Sequence, residues 1–235
     1  MKIFNFFIIS AFVCSYSFAE KVKIKTEDGC VIYGEKHIFS SSSTILLEIH
    51  GLGSNKEEWN KFNTFIKKEK INYLAVDLRG HGESIICEGQ KIDYKSFSKE
   101  DWQKIPLDLD AAYSYLIKKY PDFNIIPAGA SIGANAAAIF SKSKKISKLI
   151  LLSPGYDYGG LMPEKYLSES KAKILFFYSP SDEYSAKSCS FFKKICDFKK
   201  LKCNFKTARY GHGVQIFDSA EGETYAEEII NFIKK

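Results

Sequence analysis

The segment Gly129-Ala130-Ser131-Ile132-Gly133 sets a serine between two glycines, after the apolar run 123–128 and before an alanine-rich helical run. A G-x-S-x-G turn between strand and helix holds the serine hydroxyl out at the end of a sheet, as a nucleophile requires. That hydroxyl is weak at neutral pH and needs a base that takes its proton as it attacks. Histidine, with an ordinary pKa near ~6.5, can accept the proton and return it to a leaving group. His212 stands between Gly211 and Gly213 after a late strand-like run, and Asp182 follows the apolar run 174–178. The chain order serine, acid, histidine suits a nucleophile on such a turn with later partners.

Attack on an acyl carbon also needs donors for the oxyanion that forms. Glu48-Ile49-His50-Gly51-Leu52-Gly53-Ser54-Asn55 ends a strand-like run with glycines that let backbone amides turn toward a pocket. The N–H of Leu52 and the N–H of Ile132, directly after the serine, form the expected oxyanion hole, worth about 3 kcal/mol per donor. His50, closing a buried strand, reads as a structural group that orients this loop. His81, in Arg79-Gly80-His81-Gly82, reads as a turn or packing group, Asp77 as the opener of that turn, and His37 belongs to no motif. Gly51-Leu52-Gly53 lacks the third glycine and acidic partner of a dinucleotide site. No Cys-x-x-Cys or His-x-x-x-His spacing points to structural zinc, and the chemistry calls for no metal or organic cofactor.

The elements that must position these residues alternate between strand and helix, which predicts an α/β fold with a mostly parallel sheet. Residues 21–26 and 30–36 alternate apolar with polar around Glu27-Asp28-Gly29, the pattern of an antiparallel hairpin. Apolar runs at 44–49 and 73–76 flank the amphipathic stretch 56–69, a strand-helix-strand unit. Residues 85–103 form a polar excursion without a clear period, and serines 40–43 read as a loop. A helix over 107–119 stops before Pro121. Strands follow near 123–128, 148–152, 174–178 and 204–207, with helices after Gly133, near Ser185 and near Asp218. Each candidate site segment falls at a strand end, where open α/β sheets bind ligands. Only about twenty residues separate the strands ending at 152 and beginning at 174, too few for a large helical lid, so an open cleft is expected.

At 235 residues the chain suits one domain. Residues 1–19 read as a secretory signal, with Lys2, an apolar stretch at 3–13 and a small-x-small site ending at Ala19. The apolar stretch is shorter than the ~20 residues of a membrane span. This reading makes 20–235 a single α/β domain that is secreted or periplasmic, with no stable membrane span after cleavage. The formal charge of +6 drops by one without Lys2, and Arg79 and Arg209 are the only arginines. Nucleic-acid sites favour arginine's bidentate fork, so the interspersed lysines read as a solvated surface with no nucleic-acid partner. Outside the signal the cysteines are Cys30, Cys87, Cys189, Cys196 and Cys203, an odd number that leaves a thiol over in a monomer. On one helix Cys189 and Cys196 would stand about 10.5 Å apart, beyond the reach of a bridge, whereas a Cys196–Cys203 bridge stays open.

His50-Gly51-Leu52-Gly53, Asp77-Leu78-Arg79-Gly80-His81-Gly82-Glu83-Ser84, Gly129-Ala130-Ser131-Ile132-Gly133, Asp182 and His212 together resemble the α/β-hydrolase superfamily. The resemblance covers nearly all of the chain after the signal. In detail it is similar to the small lidless serine hydrolase and esterase branch related to dienelactone hydrolases, and residues 153–158 and 182–186 resemble segments of secreted bacterial members. Dienelactone hydrolases proper carry a cysteine where this chain has Ser131, so their substrate does not transfer. The resemblance implies a Ser131, Asp182, His212 triad, with Asp157 or Glu183 as alternative acids. It implies a carboxylesterase acting on small or medium acyl esters through an acyl-enzyme on Ser131. A thioesterase or serine peptidase would use the same triad, and a noncatalytic binding protein would use the same fold. Tyr156, Tyr158 and Tyr184 are either pocket walls or ordinary packing groups.

Overall fold

The computed structural model describes residues 19–142 and 144–235; the secretory-signal reading lies, apart from Ala19, outside the described residues. β1 (Glu20–Lys25) and β2 (Cys30–His37) form the expected antiparallel hairpin, with Val22, Ile24 and Ile32 buried at alternate positions. β3 (Thr44–Ile49) is followed by a 3₁₀ turn over Lys56–Trp59, then α1 (Asn60–Lys68) and β4 (Asn72–Val76). The stretch expected to be aperiodic holds two short strands, β5 (Ile86–Cys87) and β6 (Gln90–Lys91), and α2 (Lys99–Trp102). Ser98 and Asp101 cap α2 reciprocally, a local signal strong enough to form one turn of helix in a polar segment.

α3 (Ile105–Lys119), β7 (Asn124–Ala130), α4 (Ile132–Ser141) and β8 (Lys148–Leu152) follow. Then come α5 (Glu164–Leu167), β9 (Lys173–Tyr178), α6 (Glu183–Lys199), β10 (Cys203–Thr207) and α7 (Gly222–Lys234). The helix expected near Asp218 begins at Gly222, because Gly213–Asp218 is taken up by a 3₁₀ turn carrying Val214, Ile216 and Phe217 into the core. The sheet has ten strands in the order β10-β9-β8-β7-β3-β4-β2-β5-β6, with β1 paired to β2. Strands β3, β4 and β7 to β10 run parallel, while β2 lies antiparallel to β4.

Strand alternation separates two apolar layers. Ile45, Leu47 and Ile49 of β3 face a core shared with Leu109 and Leu116 of α3, the alanines of α4 and Phe192 of α6. Leu46 faces the other side, with Phe62 and Ile66 of α1 and Tyr225 and Ile229 of α7. Glu48 shares that second face and is fully buried, with Oε2 accepting from Asn63 Nδ2 at 3.1 Å. Burial pushes its carboxyl up to about 8. Cys30 is bonded to Cys87, tying β2 to β5, and Cys196 to Cys203, tying α6 to β10. Cys189 is free and buried. The parallel strands all end on one edge, and the loops leaving β3, β7, β8, β9 and β10 meet there.

Candidate active site

Ser131 occupies the single-residue turn between β7 and α4 with φ 55° and ψ −121°. A non-glycine residue at positive φ is strained, and it persists only where its surroundings hold it. Here they do. Its N–H donates to the Leu152 carbonyl at 2.8 Å, and its own carbonyl accepts from Ala134 and Asn135 as α4 begins. The flanking glycines are steric requirements: a Cβ on Gly129 would sit 2.3 Å from the Gly133 carbonyl oxygen, and one on Gly133 2.5 Å from that of His50. The turn therefore brings the end of β3 directly against the serine.

That neighbouring loop is built around two fixed side chains. His50 is fully buried; its Nε2 accepts from the Leu78 amide at 3.0 Å, so its Nδ1 carries the proton donated to the Gly51 carbonyl at 2.6 Å. Burial, with His81 beside it, pushes the His50 pKa down to about 4 and keeps the ring neutral. On the other side Glu58 Oε2 accepts from the Gly51 amide at 2.6 Å. A Cβ on Gly51 would lie 3.4 Å from Ser131 Cβ, in ordinary van der Waals contact, so the loop passes directly beside the serine. Leu52 follows on the rim, 56% exposed. Neither its amide nor that of Ile132 donates to another protein group among the described residues.

Asp182 caps the start of α6 and His212 sits in the loop after β10. Their side chains meet, with His212 Nδ1 2.6 Å from Asp182 Oδ2. Burial opposes the charge on Asp182, but hydrogen bonds from His212 and Ser185 outweigh it and hold the carboxyl below its ordinary range. The alternative acids point elsewhere: Asp157 accepts from the Gly160 amide at 2.6 Å, and Glu183 pairs with Lys187 at the surface. The histidine loop packs on the serine turn, since a Cβ on Gly213 would lie 3.2 Å from Ala130 Cβ.

Several supporting residues went unrecognised in the sequence. Ser153, buried at the end of β8 with φ 48°, accepts from the Gly213 amide at 2.9 Å through its hydroxyl, and its carbonyl accepts from Ser185 Oγ at 3.2 Å. It thus ties the loop of His212 to the helix that Asp182 caps. Asn135 on α4 donates to the Gly155 and Leu161 carbonyls and accepts from the Gly155 amide, pinning the loop after β8. Tyr158, on that pinned loop, turns its hydroxyl toward Ser131 and Ser185; burial raises its pKa, so it stays a neutral phenol. No motif marks Ser153 or Asn135, because each acts through a backbone group twenty or more residues away, and Glu58, seven residues from the amide it holds, sits in a run of charged residues with no pattern of its own. Asp28, Cys30 and Cys87 cluster within 4.8 Å, but both sulfurs are in a disulfide and Asp28 is paired with Arg79, which leaves no thiolate to bind a metal.

A family model described as serine aminopeptidase, S33, matches residues 40–188. No curated protein matches the chain. Among solved structures, an esterase of Pyrococcus furiosus is similar with a TM-score of 0.76 and 20% identity, over 93% of this chain and 90% of that one. A dienelactone hydrolase from Anabaena variabilis aligns with a TM-score of 0.72 and 14% identity, over 91% and 95% of the two chains. An esterase from Exiguobacterium antarcticum gives 0.68 and 16%, over 91% and 99%. At such identities the likeness is one of fold, and it matches the mostly parallel sheet with an antiparallel edge described above.

Proposed function

Because the chain belongs to the family of the S33 serine aminopeptidase model and carries the α/β-hydrolase fold, we propose that it is a serine hydrolase, foremost a carboxylesterase of small or medium acyl esters. The observation that carries this reading is the 2.6 Å contact between Asp182 and His212, brought from separate loops beside a serine held at positive φ. In this mechanism Ser131 Oγ attacks the ester carbonyl while His212 Nε2 takes its proton. Asp182, kept ionised, fixes the imidazole with its proton on Nδ1 and stabilises the transient imidazolium. The free amides of Leu52 and Ile132 receive the oxyanion. His212 then protonates the departing alkoxide, and the acyl-enzyme on Ser131 is hydrolysed by water that His212 activates.

The substrate class rests on what surrounds Ser131. No long insertion follows β8, where α5 has only four residues, and the wall beside Ser131 is aromatic, formed by Tyr158 with Tyr184 at 5.4 Å between ring centroids. Such a wall suits a compact acyl group. The family description favours a second reading, peptide-bond cleavage with the same triad. Purified protein assayed on p-nitrophenyl esters of increasing chain length, an acyl thioester and aminoacyl anilides separates the two: ester turnover highest at short chains supports the esterase, and anilide turnover without ester turnover overturns it.

We further propose export, with cleavage after Ala19. Two disulfides among the described residues support an oxidising compartment. Amino-terminal sequencing of the protein from its native cells should begin at Glu20, and an intact Met1 would refute cleavage. Among the described residues no helix is long and apolar enough to cross a membrane.

A further inference from the structure

The Leu52 amide reaches an oxyanion only if the peptide that carries it is held in one orientation. That peptide follows Gly51, and a glycine by itself leaves both adjoining torsions soft. The carbonyl of Gly51 is held by His50 Nδ1 at 2.6 Å. Because a trans peptide is planar, fixing the Gly51 oxygen on one side points the Leu52 N–H to the opposite side. The preceding peptide plane is fixed separately, by the Gly51 amide donating to Glu58 Oε2 at 2.6 Å. Both planes flanking Gly51 are therefore anchored by side chains.

Glu58 is an unusual anchor. Lys56, two residues before it, gives its ammonium to Asp77 at 2.9 Å and Glu83 at 2.8 Å, and no lysine or arginine pairs with Glu58 among the described residues. Its carboxylate lies instead against the bare α-carbon of Gly51, where a Cβ would be 3.5 Å from Oε1 and 3.4 Å from Ser131 Cβ. A short hydrogen bond from an amide to a carboxylate is stronger than one between neutral groups. Burial pushes the Glu58 carboxyl up, against the Gly51 amide, Ser54 and the nearby His212, which favour its charge. With no lysine or arginine to hold it among the described residues, its direct bond is to the Gly51 amide, whose geometry it fixes.

We infer that Glu58 is a positioning residue for the oxyanion hole: with His50 it locks the two peptide planes around Gly51 and so aims the Leu52 N–H at the acyl oxygen. This inference rests on the serine-hydrolase reading. It is tested by the rate of fluorophosphonate labelling, in which the phosphonyl oxygen takes the oxyanion's place, together with kcat and KM on an activated short-chain ester. The variants are Glu58→Ala, Glu58→Met and Glu58→Gln. Misaligning one donor should slow labelling and kcat by roughly 10- to 100-fold with KM little changed. Glu58→Gln, whose amide oxygen accepts the same N–H, should recover to within a few-fold of wild type. Glu58→Met keeps the length without the acceptor and should fall like Glu58→Ala, which keeps the test alive if the alanine variant does not fold. Glu58→Met labelling at the wild-type rate, glutamine performing no better than methionine, or a loss confined to KM overturns the inference alone. A wild-type chain that does not label overturns the serine-hydrolase reading and this inference with it.

Discussion

The two sides of the candidate site are held in place by different chemistry. On the side of β3 and β4 the anchors are charged: buried Lys56 bridges Asp77 and Glu83, and buried Arg79 joins Asp28 at 2.6 Å to Asp108 at 2.7 Å. On the side of β8 and β9 they are neutral: Ser153, Ser185 and Asn135 hold loops through hydroxyl and amide bonds. The charged anchors belong to the side that carries the Gly51–Leu52 loop, whose proposed role in receiving the oxyanion needs rigidity and no titrating group. The neutral anchors surround Asp182 and His212, the proposed acid and base. Hydroxyls there fix geometry without adding net charge, so Asp182 is the charge that bonds to the His212 ring.

The contrast can be broken first at the acid. Asp182→Asn keeps a side chain that caps α6 equally well but removes the acceptor for the Nδ1 proton, so kcat/KM should fall roughly 10³- to 10⁴-fold with the thermal midpoint nearly unchanged. A loss of stability of the same order as the loss of rate would make Asp182 a structural group. Next, Arg79→Met should strand Asp108, which is fully buried, at a cost of about 3–5 kcal/mol in urea unfolding. The folded fraction should keep most of its activity, and a stable variant without turnover would contradict the division of labour.

The buried Glu48 gives a third, smaller effect that depends on pH. Its folded pKa of about 8 lies above the ordinary 4.5, so the native state binds the extra proton. Its contribution to stability is therefore intact below pH ~4.5 and falls as pH rises toward ~8, by on the order of a few kcal/mol. Glu48→Gln should remove that slope, so denaturation midpoints of variant and wild type should diverge between pH 5 and 8, with the variant higher; parallel curves would show that Glu48 does not titrate in this range. The smallest effect is expected on the neutral side. Ser153→Ala leaves the buried Gly213 amide without its acceptor, costing about 1–3 kcal/mol and lowering kcat roughly tenfold through a displaced His212. Full activity with unchanged stability would mean that the histidine loop is held by other contacts.

In the charged half the turn segments were legible, because Asp77 to Ser84 and His50 to Gly53 are contiguous runs, but the ion pairs were not: Lys56 reaches Asp77 and Glu83, and Arg79 reaches Asp28 and Asp108, across more than twenty residues of sequence. His50 was read as an orienting group, and its two bonds to Gly51 and Leu78 agree with that. The elements that expose Ser131 were also legible, since a parallel strand and an alanine-rich helix carry opposite periodicities. The neutral half was not. Ser153 acts on Gly213 sixty residues away, Asn135 on Gly155 and Leu161, and a lone serine or asparagine carries no local pattern. The Cys30–Cys87 bridge was hidden for a related reason: the segment around Cys87 shows no strand period, and only its pairing with β2 brings the two sulfurs together.

The central claim is that Ser131 is an activated nucleophile. Reaction of the folded wild-type chain with a fluorophosphonate, followed by proteolysis and mass mapping, tests it without knowledge of the substrate. The account predicts one adduct per chain, on the peptide that contains Ser131, and none in Ser131→Ala. A folded wild-type chain that takes no adduct, or an adduct that persists in Ser131→Ala, would contradict it.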